Sequence, residues 1–392
     1  MKLSKRYRVR LADTLFVLAY GFALFRGAIG NTTFSKYFSI YGPFLIFTII
    51  FVAAILLCKI ILLDKFLIRD LVIILVAMAV LGISFLRSGY SELVILMILM
   101  LGSKNIRIKN VVKTHFIVYG SVTLVVAICS LLGIIENFKT FAGAYTLGNT
   151  YSTDFAAGIF ALTLDYAYLK TRRWKLRYSI IFALIALAVY QISHARMGSI
   201  LILTLGLVEL IFSSAKTEKV RDGKGFKVIV ALLFPILAGI SLAVQGMYDK
   251  LTNPIFRVID VFMSYRIAYG YQAIQKYGLR PWGRRIDFIG AGWNTHTSMD
   301  SSYFYVDNGY LQCALLYGLI ILILICAGYF YISISKKNRL NFGLTIVLLF
   351  YSVWGVIEPR IFYLIYAPFL IVIGITLLSD EVNYNKNESL IE

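Results

Sequence analysis

Residues 178–212 read YSIIFALIALAVYQISHARMGSILILTLGLVELIF, an almost continuous apolar stretch interrupted only at QISHARMG. One helix over all of it would be too long for a bilayer even when tilted. It would also leave the basic clusters Lys170–Arg177 and Lys216–Lys227 on opposite sides of the membrane. Lys and Arg beside membrane helices concentrate on the cytoplasmic side. A tight turn at His194-Ala195-Arg196 satisfies both requirements. It makes two antiparallel spans and returns both clusters to the same side.

The rest of the chain extends the pattern. It is 59% hydrophobic and 15% charged, with a mean hydropathy of +0.79. Soluble domains carry far more charge. About twelve apolar runs have roughly the length a helix needs to cross hydrocarbon. They fall near 11–28, 40–60, 66–86, 89–102, 112–135, 153–169, 177–193, 197–213, 228–246, 308–333, 341–357 and 361–378. With the N-terminus in the cytoplasm, 26 of the 39 Lys and Arg residues fall on inner segments, leaving 13 outside. The alternation holds at every inner loop. The expected fold is therefore an all-α polytopic integral membrane protein with about 12 transmembrane helices. Both termini are expected in the cytoplasm, and one large extracytoplasmic loop joins helices 9 and 10. By region, 1–246 holds helices 1–9, 247–307 the large loop, 308–380 helices 10–12, and 381–392 a cytoplasmic tail.

Several classes of function are disfavoured. The formal net charge of +19 would point to nucleic acid in a soluble protein. Here most of the excess follows the positive-inside distribution, so no nucleic-acid partner is expected. Cys58, Cys129, Cys313 and Cys326 lie in or beside apolar runs. They read as small apolar residues rather than a disulfide framework or a metal site. The N-terminal stretch imitates a signal peptide but lacks a small-x-small cleavage pattern, so an uncleaved first helix is expected. No internal repeat or low-complexity tract is visible.

Seven of the 13 outer basic residues sit in the segment 247–305: Lys250, Arg257, Arg266, Lys276, Arg280, Arg284 and Arg285. Residues 255–277 have the periodicity of an amphipathic helix. Arg257, Asp260, Ser264, Gln272 and Gln275 share its polar face, whereas Arg266 falls in the middle of the apolar face. Such an arginine needs an acidic partner, an anionic ligand or a route to water. Arg196, at the outer end of two spans, is similarly out of place, and Gly198 beside it lets backbones approach closely. His194 beside it reads as a proton-transfer group or a hydrogen-bonded structural residue. In LRPWGRR (279–285) the arginine forks of Arg280, Arg284 and Arg285 are suited to phosphate, or to a solvated turn near headgroups.

The densest polar run, NTHTSMDSSYFYVDNGYLQ (294–312), abuts the tenth apolar run. The carboxylates Asp307 and Asp300, with His296 nearby, lie at the membrane mouth, and such carboxylates are candidates for general bases or for pairing with the arginines. Asp307 and Asn308 equally suit a helix N-cap. The spacing of His296 and Asp300 matches no compact metal site. Asp165 and Glu209 read as structural partners of cytoplasmic basic loops. Glu358-Pro359-Arg360 reads as a tied-down turn at an outer mouth.

Together these features resemble the O-antigen polymerase (Wzy) and O-antigen ligase superfamily of bacterial surface-polysaccharide enzymes. The resemblance lies in the span plan with its late outer loop, and in three segments. GNTYSTDFAAGIFAL (148–162) is similar to the family's Gly-to-Asn segment, SHARMGSIL (193–201) to its Ser-Arg-x-Gly hairpin, and DNGYLQCALLYGL (307–319) to its His-Asn-x-Tyr-Leu…Gly run. Ligases typically have histidine where this chain has Asp307, which favours a polymerase.

The resemblance implies a glycosyltransferase in the bacterial cytoplasmic membrane, with its active site facing outward. The donor would be an oligosaccharide repeat unit on undecaprenyl pyrophosphate. An acceptor sugar hydroxyl attacks the anomeric carbon and lipid pyrophosphate leaves. Arg196 and Arg266, then Arg280, Arg284 and Arg285, would stabilise the departing charge, with Asn308 also at the substrate, and Asp307, Asp300 and His296, in falling order, would be the candidate bases for the acceptor hydroxyl. No cofactor or metal is expected. Flippase and chain-length proteins are the expected partners, together with membrane lipid. The rivals are a ligase, since fold alone does not separate the two, and a flippase or transporter, whose polar groups normally lie near mid-membrane.

Overall fold

The turn at His194 is present in a computed structural model of the chain, which describes residues 5–38, 42–140, 143–171, 174–213, 223–250, 254–290, 304–335, 337 and 342–379. His194 adopts a left-handed conformation (φ 53°) and its N–H donates to Tyr190 O at 3.0 Å, ending one helix. The next begins at Arg196. Ser179 Oγ, near the start of the first, donates to Gly206 O in the second at 2.8 Å, so the two run antiparallel.

The described helices are α1 (Lys5–Gly30), α2 (Pro43–Leu63), α3 (Ile68–Ser88), α4 (Glu92–Gly102), α5 (Ile108–Leu131), α6 (Ser152–Lys170), α7 (Leu176–Ser193) and α8 (Arg196–Phe212). They continue with α9 (Lys224–Gly246), α10 (Pro254–Phe262), α11 (Arg266–Tyr277), α12 (Gly309–Leu316), α13 (Leu319–Ile334), α14 (Phe342–Ile357) and α15 (Phe369–Leu378). Short 3₁₀ turns and isolated β-bridges accompany them, with no β-strand among the described residues. Six helices, α1, α2, α3, α5, α7 and α9, are long and apolar enough to cross a membrane. Their outward faces carry large apolar side chains such as Ile61, Ile68, Leu75, Leu86 and Leu184, all well exposed. A lipid surface removes the penalty that water would impose on that area.

Contacts between the connections sort them into two ends. At one end Thr33 N–H donates to Gly148 O, Tyr90 Oη to Ile286 O and Tyr145 N–H to Ile192 O, each at 2.8 Å. At the other, Lys59 Nζ reaches Lys104 O at 3.0 Å, Asn105 N–H reaches Ser379 Oγ at 2.9 Å, and Lys337 Nζ reaches Thr376 O at 2.8 Å. The second end also holds the ion pairs Lys59–Asp64 (2.7 Å), Arg107–Asp13 (2.8 Å) and Lys104–Asp70.

Three expected elements are built differently. The run 308–333 is broken into α12 and α13 at Tyr317–Gly318. Both ends of α12 lie near the first end of the bundle. Asn308 Nδ2 donates to Ser241 Oγ, five residues inside α9, and Tyr317 O accepts from Ser84, four residues inside α3. So α12 lies across the bundle and α13 makes the traverse. The break is fixed by Gly318, whose φ 103°, ψ 158° is open essentially to glycine alone. A Cβ there would stand 2.2 Å from Pro281 O. Gly318→Ala is therefore expected to lower the thermal unfolding midpoint in detergent. Gly278→Ala, at φ 67° with open space around it, is expected to lower it less. Equal losses would show that backbone strain alone matters at Gly318.

The amphipathic run 255–277 is likewise two helices, because Ser264 (φ 58°) and Tyr265 (φ 60°) turn the chain between them. Buried Asp260, expected on a polar face, instead caps α11 by accepting from Ile267 N–H at 2.9 Å, and it also accepts from Tyr248 Oη at 2.9 Å. Helix N-termini need such acceptors. Within 361–378 only α15 is α-helical. It is preceded by a 3₁₀ turn over Pro359–Phe362 and buried irregular chain.

Candidate functional site

At the first end of the bundle, α6, the α7–α8 turn, the α10–α11 joint and the end of α14 surround an open cavity of about 1240 Å3. Its upper wall is polar, with Gln191, His194, Arg196, Ser264, Arg266 and Glu358. Its lower wall is apolar, with Ala157, Phe160, Ala183, Ala186, Leu203 and Trp354. Ala183 lies ten residues inside α7, so at 1.5 Å per residue the shaft descends ~15 Å. The cavity thus joins a cationic mouth to a hydrocarbon-compatible shaft.

Each polar side chain is placed by a local device. Arg196 is the first residue of α8 and is exposed to the cavity; among the described residues its guanidinium has no acidic partner. Arg266 is the first residue of α11, held there by the Asp260 cap. Its Nε donates to Asp307 Oδ2 at 3.2 Å and its Nη1 to Ile357 O at 2.8 Å, with the side chain 22% exposed. So its position reflects a helix start as well as an acidic partner, not the centre of an apolar face. Arg266 has an edge in the cavity while Asp307 stands behind it, outside the lining.

Glu358 enters the wall from the connection after α14 and is tied to Arg360. Arg360 is buried and also binds Asp154 and Thr153 Oγ1, the latter at 2.9 Å. Asp154 does two things: Oδ2 accepts from Tyr151 N–H at 3.0 Å, capping α6, and Oδ1 accepts from Arg360. Burial pushes the Glu358 carboxyl up from the usual range. Arg360 and Arg266 pull it back while Asp307 adds to the rise, and the net direction is upward. The Glu-Pro-Arg stretch read as a tied-down turn is therefore both tied down and part of the cavity wall.

The remaining sequence candidates are placed elsewhere or lie beyond description. Asn308 caps α12, accepting from Leu311 N–H at 2.9 Å, and its amide donates to Ser241 Oγ and Val356 O. Arg284 donates to Tyr277 O at 2.9 Å and stands over the Tyr277 ring. Arg285 pairs at 3.4 Å with Asp287, both largely exposed, and Arg280 is exposed. None of these four lines the cavity. His296 and Asp300 lie outside the described residues. Among the described residues no three His, Cys, Asp or Glu side chains gather as a metal group.

Asp165 and Glu209 are buried, and among the described residues their side-chain partners are internal. Asp165 accepts from His115, whose other ring nitrogen meets Ile365 O at 3.0 Å; Glu209 accepts from Thr171 Oγ1 at 2.8 Å. Tyr119 stacks on His115 at 5.3 Å and meets the Tyr366 ring at 5.8 Å. Periodicity gives no sign of this inner polar group, because its members come from separate helices. No family model, curated protein or solved structure matches the chain.

Proposed function

We propose that the protein is a polysaccharide polymerase, a glycosyltransferase of the bacterial cytoplasmic membrane. In this reading about twelve segments cross or enter the membrane, both termini are cytoplasmic, and the cavity opens on the outer face. The donor is an undecaprenyl-pyrophosphate-linked repeat unit, and the acceptor is the sugar hydroxyl of another. Membrane lipid, flippase and chain-length proteins are its natural partners.

One observation carries the reading. A single cavity sets Arg196 and Arg266 above an apolar shaft. An amphiphile with an anionic head fits that order of surfaces. Arginine forks match phosphate oxygens, and the shaft suits a polyprenyl tail. Fixed cations at the leaving oxygens favour the transition state over the ground state, because charge develops there as the glycosyl bond breaks.

A second reading has its own support. The buried His115–Asp165 pair and the irregular chain beside it lie deep within the bundle, where carriers place their coupling groups. Deleting the gene separates the two. Single repeat units on the outside with long chains lost support the polymerase. Repeat units trapped on the cytoplasmic side support a flippase, and long chains made but unattached support a ligase.

A further inference from the structure

A glycosyl transfer of this kind frees a proton from the acceptor hydroxyl, and a placed carboxylate is a suitable recipient. Asp307 is the base the sequence favours, yet it stands behind Arg266 and outside the cavity lining. Glu358 is an acidic residue of the wall itself, lining the same cavity as the α7–α8 turn that carries Arg196. Its Oε1 is held by Arg360, which is anchored in turn by Asp154 and Thr153. That chain of contacts fixes the carboxylate direction without occupying both oxygens. Resting on the polymerase reading, we propose that Glu358 is the general base, taking the acceptor proton at the oxygen not bound by Arg360.

The step balances. The acceptor O–H bond breaks and its proton goes to Glu358. The oxygen lone pair forms the new bond to the anomeric carbon. The bond from that carbon to the lipid pyrophosphate breaks, and its electron pair stays on the pyrophosphate oxygen beside Arg196 and Arg266. The proton then leaves Glu358 to water through the open cavity mouth.

Charged and titratable groups surround the Glu358 carboxyl. Arg360 lies on the same segment, Arg266 on α11, Asp307 before α12, and Tyr305 upstream of it. Asp154 of α6 acts through Arg360, and His194 and Arg196 face the same space. Burial holds the carboxyl above its ordinary range despite the arginines. Since only the deprotonated form accepts a proton, the rate falls as pH drops through this raised value. The acid limb therefore lies above the ~4.3 of a free glutamate.

The test uses the full-length protein in vesicles with a lipid-pyrophosphate-linked oligosaccharide, reading chain extension against pH. Glu358→Gln should lower kcat about 10²–10³-fold, leave the donor KM within a few-fold, and abolish the acid limb. Glu358→Asp should keep the limb at reduced rate, and Asp307→Asn should keep it as well. A Gln variant that is fast, or slow with the same acid limb, overturns the base role and leaves the polymerase reading intact. Loss of the limb in Asp307→Asn alone would transfer the role there. A folded wild type that binds donor yet extends no chain at any pH overturns both. If thermal melts show the Gln variant unfolded, the Asp variant decides: loss of its limb overturns the assignment.

Discussion

Arg360→Ala is expected to destabilise the protein by about 3–5 kcal/mol, enough to remove most folded protein from the membrane. The side chain is 6% exposed and ties Asp154 and Glu358 together. Removing it leaves two carboxylates close together in a poorly hydrated site, without their cation. Desolvation of an unpaired charge exceeds anything the vacated volume returns. The Asp154 carboxylate also caps α6, so its protonation or displacement loosens the helix start that forms one cavity wall. Denaturation in detergent measures the loss. Combining Arg360→Met with Asp154→Asn and Glu358→Gln should recover much of it, because the charges are then removed together. If Arg360→Ala alone melts like wild type, the buried network is not what holds this end of the bundle.

That network shows where sequence reasoning stops. The helices were readable because lipid-facing apolar runs and basic loops are local signals, and the His194 turn followed from length and charge alone. Glu358 and Arg360 were visible as a turn, but the chemistry of Glu358 depends on α6 and α14 meeting, more than 200 residues apart in the chain. Partner identity at that separation has no local sequence signal. The amphipathic run 255–277 failed for a related reason. Its apolar positions do repeat at helical spacing, yet Asp260 satisfies the N–H groups of a new helix start and the backbone turns at Ser264–Tyr265. The residue that breaks the pattern, Arg266, marks a helix start and pairs with Asp307. Gly318 was likewise hidden inside an apolar run that hydropathy treats as uniform. Only its left-handed backbone and the Pro281–Gly283 loop pressed against it reveal the break.

The second large effect concerns the two cavity arginines, and their unequal tethers predict unequal behaviour. If the proposed polymerase function holds, Arg196→Ala and Arg266→Ala should each lower chain extension about 10²–10³-fold, the usual loss when one fixed donor to a developing anion is removed. Arg196 has no acidic partner among the described residues, so its removal should leave the thermal midpoint unchanged. Arg266 also satisfies Ile357 O and faces Asp307, so its removal should lower the midpoint as well. Arg196→Lys should recover only part of the rate, because an ammonium offers a point charge where the guanidinium offers a planar fork. If both arginines act on the same pyrophosphate, the double variant should lose less than the product of the single losses, since they then work as a unit. Multiplying losses would mean that they serve separate charges, one on the donor and one elsewhere. Wild-type extension by Arg196→Ala would remove the leaving-group role altogether, because among the described residues that side chain has no acidic partner to account for it.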